Sequence, residues 1–86
     1  MPLDWKPRGR DVVIGNIPWL ARITDKARAH LSGVIGEYIY PCPADRAFLE
    51  KHGISEAEFT QLVKENATDD EMIARMREII ERNASR

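Results

Sequence analysis

The segment Tyr40-Pro41-Cys42-Pro43 constrains the fold of this 86-residue chain more than any other stretch. A residue that precedes proline is pushed out of the helical region of backbone space, so Tyr40 and Cys42 are predicted to be extended. Pro43 suits the first position of a helix, because its missing N–H group needs no partner there. The segment therefore predicts a stiff turn that leads directly into a helix.

Cys42 and Asp45 are predicted to cap this helix. Cys42 would be the N-cap residue, and Asp45 would lie in the first turn, near the positive end of the helix dipole. The Asp45 carboxylate can accept a hydrogen bond from the backbone N–H of Cys42, as in a capping box. The helix is predicted to run from Pro43 to about His52, with Gly53 as its left-handed C-terminal residue.

A longer helix is predicted before the turn, because apolar residues there recur every three or four positions. It is expected to begin near Pro18 and to end near Ser32. Asn16 has the better side chain for an N-cap, whereas the position of the proline favours Ile17. Both alternatives place the helix start immediately after an irregular N-terminal stretch.

Two capping boxes mark the starts of a third and a fourth helix, at residues 55–58 and 68–71. In each, a hydroxyl residue is followed three positions later by glutamate, so that the two residues satisfy each other's backbone N–H groups. In the helix that starts at Pro43, Ala44, Ala47 and Phe48 are predicted to form the inner face.

The predicted fold is all-α: a small four-helix orthogonal bundle with a Pro-rich Tyr/Cys turn. An irregular N-terminal arm over residues 1–16 precedes a single helical domain over residues 17–86, since a chain of this length has room for one core. The stretch 11–14 fits either one helical turn or an extended strip on the core. Trp5 is expected either to be buried or to anchor a partner.

Composition indicates a soluble cytoplasmic protein, with 43% hydrophobic and 31% charged residues. No apolar run approaches the ~20 residues of a membrane span, and residues 1–10 do not resemble a signal peptide. A single cysteine forms no internal disulfide. The net charge of −1 argues against a general affinity for nucleic acid. The third helix also carries three glutamates, which would repel DNA phosphates in a helix-turn-helix arrangement.

Charge is divided unevenly along the chain. Residues 1–36 carry six Lys and Arg against three Asp, a net charge of +3, and residues 37–86 carry seven against eleven acids, a net charge of −4. The two halves are expected to attract each other within the fold. The alternative is self-association into a homodimer.

The first helix and the turn together resemble a bacterial family catalogued as domain of unknown function 5069. The residues that carry the resemblance are Trp19-Leu20-Ala21-Arg22-Ile23-Thr24-Asp25-Lys26-Ala27-Arg28-Ala29, Gly33, Gly36-Glu37-Tyr38-Ile39-Tyr40, Cys42-Pro43 and Asp45. It extends roughly from Ile17 to Ile80. The resemblance implies a small, mostly helical cytoplasmic domain and assigns no catalytic residue.

A polar set of mixed sign surrounds the turn and is the candidate ligand site. Its members are Arg22, Lys26, Glu37, Tyr38, Tyr40, Cys42, Asp45 and Arg46. One interpretation is a set of structural salt bridges, in which Asp25 or Glu37 faces Arg46. The other is a pocket for a small polar or anionic ligand, with Arg22, Lys26 or Arg46 as charge partner and a tyrosine as wall.

The function that the sequence favours is a non-catalytic protein-interaction or small-ligand-binding module. The alternative is a small enzyme or redox-responsive protein that uses Cys42, because helix N-termini activate thiols. Neither His30 nor His52 is placed by spacing as a base for Cys42. These three residues and Asp45 match no metal-ligand spacing, so neither a metal nor a cofactor is expected.

Overall fold

The computed structural model describes residues 6–84, which form four helices and one short β-hairpin. The elements are β1 (Val13–Ile14), β2 (Ile17–Pro18), α1 (Leu20–Leu31), α2 (Pro43–His52), α3 (Glu56–Glu65) and α4 (Asp69–Ala84). The four predicted helices are confirmed. The expectations for Trp5 and for the first five residues of the arm lie outside the described residues.

The hairpin corrects the prediction of a strictly all-α fold. Strands β1 and β2 pair antiparallel, with Ile14 opposite Ile17. The two residues between them, Gly15 and Asn16, have φ angles of 57° and 61°, the positive values that a two-residue type I′ turn requires. The stretch 11–14 is thus partly an extended strip, and the hairpin crosses the predicted boundary between arm and helical domain.

The N-cap of α1 is Trp19 rather than Asn16 or Ile17. Asn16 lies in the hairpin turn, and Ile17 and Pro18 form β2, so the helix cannot start before the strand ends. Trp19 has a left-handed backbone with φ of 76° and no side-chain cap hydrogen bond. Its carbonyl accepts the first helical hydrogen bond, from the N–H of Ile23 at 3.0 Å.

Helix α1 lies at the centre of the core, where Leu20, Ile23 and Ala27 are fully buried. They belong to one apolar cluster with Phe59 of α3 and Met72 of α4. Burial of a side chain the size of leucine or isoleucine contributes about 1.5–3 kcal/mol. This cluster therefore accounts for much of the stability of so small a domain.

Helix α2 turns an unexpected face inward. Phe48 is buried as predicted, but Ala44 and Ala47 are exposed and the fully buried residue of the first turn is Asp45. The prediction for the two alanines is wrong because the hydrogen-bond partners of Asp45 draw that side of the helix into the interior.

The predicted helix starts agree with the cap geometry. Cys42 is the extended N-cap of α2, and its N–H donates to Asp45 Oδ2 at 3.0 Å. At α3, Ser55 Oγ accepts the N–H of Glu58 at 3.1 Å. At α4, Glu71 Oε1 accepts the N–H of Thr68 at 3.0 Å, and Thr68 Oγ1 accepts the N–H of Glu71 at 3.2 Å.

The hairpin docks on α4. A Cβ atom at Gly15 would overlap the side chain of Ile73, so the close contact between the hairpin backbone and α4 requires glycine at this position. Arg77 Nη2 also donates to the carbonyl oxygen of Gly15 at 3.2 Å. None of the described helices has both the length and the apolar character needed to cross a membrane.

Candidate functional site

Asp45 is the centre of a closed polar cluster that also contains Trp19, Lys26 and Cys42, here called the Asp45 cluster. Lys26 Nζ lies 2.7 Å from Asp45 Oδ2, and the indole N–H of Trp19 donates to Oδ1 at 2.8 Å. The N–H of Cys42 is the third donor, at 3.0 Å. The cluster joins α1, the Pro-rich turn and α2.

The electrostatics of the Asp45 cluster favour an ionised carboxylate. Burial raises the pKa of Asp45, but hydrogen bonds from Lys26, Cys42 and Trp19 outweigh burial, so that the net pKa is lowered. The side chains of Lys26 and Asp45 are 4% and 0% exposed. Because both side chains are enclosed, neither charge is open to a ligand. Lys26 and Asp45 therefore form a structural ion pair that links α1 to α2.

Cys42 lies at the rim of this cluster and is half-buried. Its sulfur accepts a hydrogen bond from Lys26 Nζ at 3.2 Å. Among the hydrogen bonds within residues 6–84, neither His30 nor His52 contacts Cys42. Over the same residues, no group of three or more His, Cys, Asp or Glu side chains gathers around a point that could hold a metal ion.

A second polar cluster, the Arg8 network, ties the arm to α1 and α4. Arg8 Nε lies 2.9 Å from Asp25 Oδ2, and Arg8 Nη1 lies 2.7 Å from Asp69 Oδ2. Arg28 Nη1 adds a third pair, 3.0 Å from Asp69 Oδ1. The hydrogen bond from Arg8 lowers the pKa of Asp69 more than partial burial raises it. Arg8, which the sequence analysis did not single out, is thus the partner of Asp25.

Arg22 lies within cation–π distance of two aromatic rings. Its guanidinium carbon lies 5.8 Å from the ring centroid of Trp19 and 5.9 Å from that of Tyr38. Arg22 Nη1 also donates to the carbonyl oxygen of Arg8 at 3.1 Å. These contacts engage both the planar face and an N–H group of Arg22, and they join the arm to the turn.

An open groove of about 550 Å³ lies on the other side of the turn, between Tyr40, the end of α1 and one face of α3. Its lining residues are His30, Tyr40, Glu56, Ala57, Thr60, Gln61 and Lys64. Residues 56, 60 and 64 follow one another at steps of four, as do 57 and 61, so they share a single helix face. We call this cavity the α3 groove.

Tyr40 forms the fixed wall of the α3 groove. Its hydroxyl group is 2.8 Å from Thr60 Oγ1, and its ring centroid is 5.6 Å from that of His30. Burial raises the pKa of Tyr40 although the hydrogen bond to Thr60 acts in the opposite direction, so the side chain is a neutral phenol at physiological pH. The groove volume falls within the roughly 300–1,000 Å³ typical of small-molecule sites.

The predicted site residues therefore separate into distinct places. Lys26, Cys42 and Asp45 form the closed cluster, whereas Tyr40 lines the α3 groove. Arg46 lines a recess of about 270 Å³ that shares Glu56 with the groove. Glu37 is exposed and lies outside both cavities.

Sequence reasoning missed the part of the groove that α3 and the end of α1 supply. The missed residues are His30, Glu56, Ala57, Thr60, Gln61 and Lys64. One available signal was the pair of neutral polar residues Thr60 and Gln61, which continue a helix face that begins with Glu56 and Ala57. Outside the groove, sequence reasoning also missed the contact of Trp19 with Asp45, although an indole N–H that is not exposed needs a partner.

The family model described as Domain of unknown function (DUF5069) matches residues 5–86. A comparison with curated proteins gives no match. The family match covers the arm from residue 5 onward, the turn and all four helices.

Proposed function

The chain belongs to the family described as Domain of unknown function (DUF5069), and we propose that it is a non-catalytic binding module that holds a small polar molecule in the α3 groove. The observation that carries this proposal is a contrast within the lining of the groove. One wall is held in place by a hydrogen bond, whereas two charged side chains form no ion pair with another residue of the range 6–84. Tyr40 is buried and bonded to Thr60. Glu56 and Lys64 are exposed and lie outside the ion pairs formed within residues 6–84.

The chemistry of the groove supports binding rather than catalysis. A covalent catalyst needs a nucleophile next to a base that activates it. The hydroxyl groups in the groove, those of Tyr40 and Thr60, are hydrogen-bonded to each other. Cys42 does not line the groove. The lining instead offers hydroxyl, amide, imidazole and charged groups around one aromatic wall, an arrangement that suits recognition of a polar ligand.

The proposal is tested by NMR titration of the ¹⁵N-labelled protein. The panel comprises free amino acids, dicarboxylates, polyamines and short peptides. At least one class is expected to shift the amide resonances of Tyr40, Thr60 and Lys64 in a saturable manner. Ala57→Phe should abolish these shifts by filling the groove. Its matched control is Ala74→Phe, because Ala74 is also an exposed helix alanine but lies on α4.

Two outcomes would reject a binding role for the groove. One is that no member of the panel moves the groove resonances. The other is that Ala57→Phe and Ala74→Phe bind the active compound equally well, since binding would then occur elsewhere on the surface.

A second candidate function, a redox-responsive protein, is favoured by the contact of Lys26 Nζ with the sulfur of Cys42 at 3.2 Å. Hydrogen peroxide would accept an electron pair from the sulfur, its O–O bond would break, and Cys42 sulfenic acid and water would form. The added oxygen would then crowd Lys26. Intact mass measured after brief peroxide treatment tests this candidate. Gain of one oxygen in the native protein but not in Cys42→Ser supports it, and an unchanged mass rejects it.

A further inference from the structure

The two charged residues of the α3 groove mark its two ends. Glu56 and Lys64 lie eight residues apart on α3. At a rise of 1.5 Å per residue, this spacing separates them by roughly 12 Å along the helix axis. Their charges are opposite. A ligand that contacts both therefore needs a cationic group and an anionic group at a matching separation.

The middle of the groove is polar but uncharged. Ala57, Thr60 and Gln61 lie between the two charged residues on the same face of α3, and the phenol of Tyr40 faces Thr60. Hydroxyl and amide groups can both donate and accept hydrogen bonds. They therefore match the alternating N–H and C=O groups of a peptide backbone.

We propose that the α3 groove binds a short peptide of three or four residues through its free N-terminal amine and its free C-terminal carboxylate. An extended chain covers at most about 3.3–3.6 Å per residue, so three or four residues span the distance between Glu56 and Lys64. The amine lies against Glu56 and the carboxylate against Lys64. This inference rests on the binding role proposed for the groove.

Other polar ligands meet a mismatch at one end. A free amino acid has both charges but is too short to reach Glu56 and Lys64 together. A polyamine places a positive charge beside Lys64, and a nucleotide or dicarboxylate places a negative charge beside Glu56. The partial positive charge at the N-terminus of α3 does not reverse this pattern, because it amounts to about half a charge and Glu56 and Glu58 both lie in that turn.

The test measures the affinity of trialanine and tetraalanine by NMR titration, together with N-acetylated and C-amidated forms of each. N-acetylation removes the amine charge and is expected to weaken binding roughly three- to tenfold, the range for a charged hydrogen bond partly open to solvent. Glu56→Gln should weaken binding of the free peptide to the same extent. At the other end of the groove, C-terminal amidation and Lys64→Gln are the equivalent pair of changes, and each should weaken binding in the same way.

The pairing of each end with its residue is tested by combining the changes. Acetylated peptide should lose no further affinity on Glu56→Gln, because the interaction has already been removed. Glu58→Gln is the matched control: it removes the same charge from the same helix turn but lies outside the groove. It should leave peptide affinity unchanged. Lys51→Gln serves the same purpose for Lys64→Gln.

Four results would overturn the inference. Blocked peptides that bind as well as free ones would remove the role of the termini. If acetylation and Glu56→Gln weaken binding independently, so that their fold-losses of affinity multiply when combined, the amine does not contact Glu56. If trialanine and tetraalanine leave the groove resonances unmoved while another class in the panel shifts them, the ligand is not a peptide and the groove keeps its binding role. If no class shifts them, both proposals fail.

Discussion

Asp45 and Glu56 are both carboxylates in the first turn of a helix, but they lie in opposite environments. Asp45 is fully buried, and its two oxygens receive three hydrogen bonds from the protein itself. Glu56 is exposed and lines the α3 groove. A polar side chain whose bonding positions are filled by the protein serves the fold. One that lies beside a fixed wall and outside the ion pairs of residues 6–84 is available to a ligand.

The Arg8 network lies between these two extremes. Arg8 binds Asp25 and Asp69, yet the side chains of Arg8 and Asp69 remain 32% and 37% exposed. Its arginines and aspartates form ion pairs with one another, as Lys26 and Asp45 do, but water still screens them, as in the groove. The three regions therefore predict a graded response of stability to substitution.

The largest effect is expected for Asp45→Ala, which should lower the free energy of unfolding by about 3–5 kcal/mol, because it leaves the buried ammonium of Lys26 without its carboxylate. Urea denaturation followed by circular dichroism measures this loss. Adding Lys26→Met should restore part of the stability, since no unpaired charge then remains. Glu56→Ala is the matched control and should stay within about 0.5 kcal/mol of the wild type.

Lowering the pH should reduce the stability that the Asp45 cluster contributes to the fold. Because the folded-state pKa of Asp45 is lowered, its ionised form contributes stability above the unfolded pKa of about 3.9. This contribution is lost as the pH falls through the lower folded value. Asp69 acts with the same sign. Unfolding free energies measured from pH 7 to pH 2 should fall less steeply below pH 4 in Asp45→Asn, and an unchanged slope would contradict the assignment.

An intermediate effect is expected for the helix caps. Ser55→Ala and Thr68→Ala should each cost roughly 0.5–2 kcal/mol, because each removes the side-chain acceptor of an N-terminal N–H group. Urea melts measure both losses. Asn and Asp at either position should preserve stability. Melts that coincide with the wild type would show that these oxygens do not act as caps.

The Arg8 network should give a smaller, salt-dependent effect. Arg8→Ala is expected to lower stability by about 1 kcal/mol at low ionic strength, the sum of two partly exposed ion pairs. The loss should shrink in 1 M salt, where charges are screened within ~3 Å. Arg75→Ala is the control, since its pair with Glu78 is long, at 3.5 Å, and mostly exposed. Equal losses of stability for Arg8→Ala and Arg75→Ala would show that Arg8 contributes no more than an ordinary surface residue.

The smallest effect on stability is expected in the α3 groove. Lys64→Ala should change the free energy of unfolding by less than about 0.5 kcal/mol, because Lys64 is exposed and outside the ion pairs of the described residues. Thermal and urea melts measure this directly. A loss comparable with that of Arg8→Ala would mean that the groove supports the fold, which would break the distinction between closed and open regions.

Sequence reasoning succeeded where the signal is local. Pro43 and the two capping boxes specify helix starts within four residues, and the structure confirms all three. Sequence reasoning failed where contacts between segments far apart in the sequence determine the structure. The inward side of α2 follows from Asp45, which is buried because Lys26 and Trp19 reach it from α1 and its N-cap. The hairpin escaped notice because strands of two residues are too short to show an alternating pattern.

The α3 groove was harder to predict for a related reason. Glu56, Thr60 and Lys64 follow the pattern of an ordinary solvent-facing helix surface, and only the position of Tyr40 opposite them forms a cavity. Tyr40 was predicted as a candidate wall of a ligand pocket, with Arg22, Lys26 or Arg46 as its charge partner. The structure places those partners elsewhere, and no local pattern in α3 indicates which helix face Tyr40 will meet.

The docking of the arm also sets an order of events during synthesis. Arg8 binds Asp69, 61 residues later in the chain, and Gly15 lies against Ile73. At a translation rate of about 5–20 residues per second, the ribosome needs roughly 3–12 s to make the intervening chain. The arm and the hairpin are therefore made well before α4, and they lack their contacts with Asp69 and Ile73 until α4 has begun to emerge.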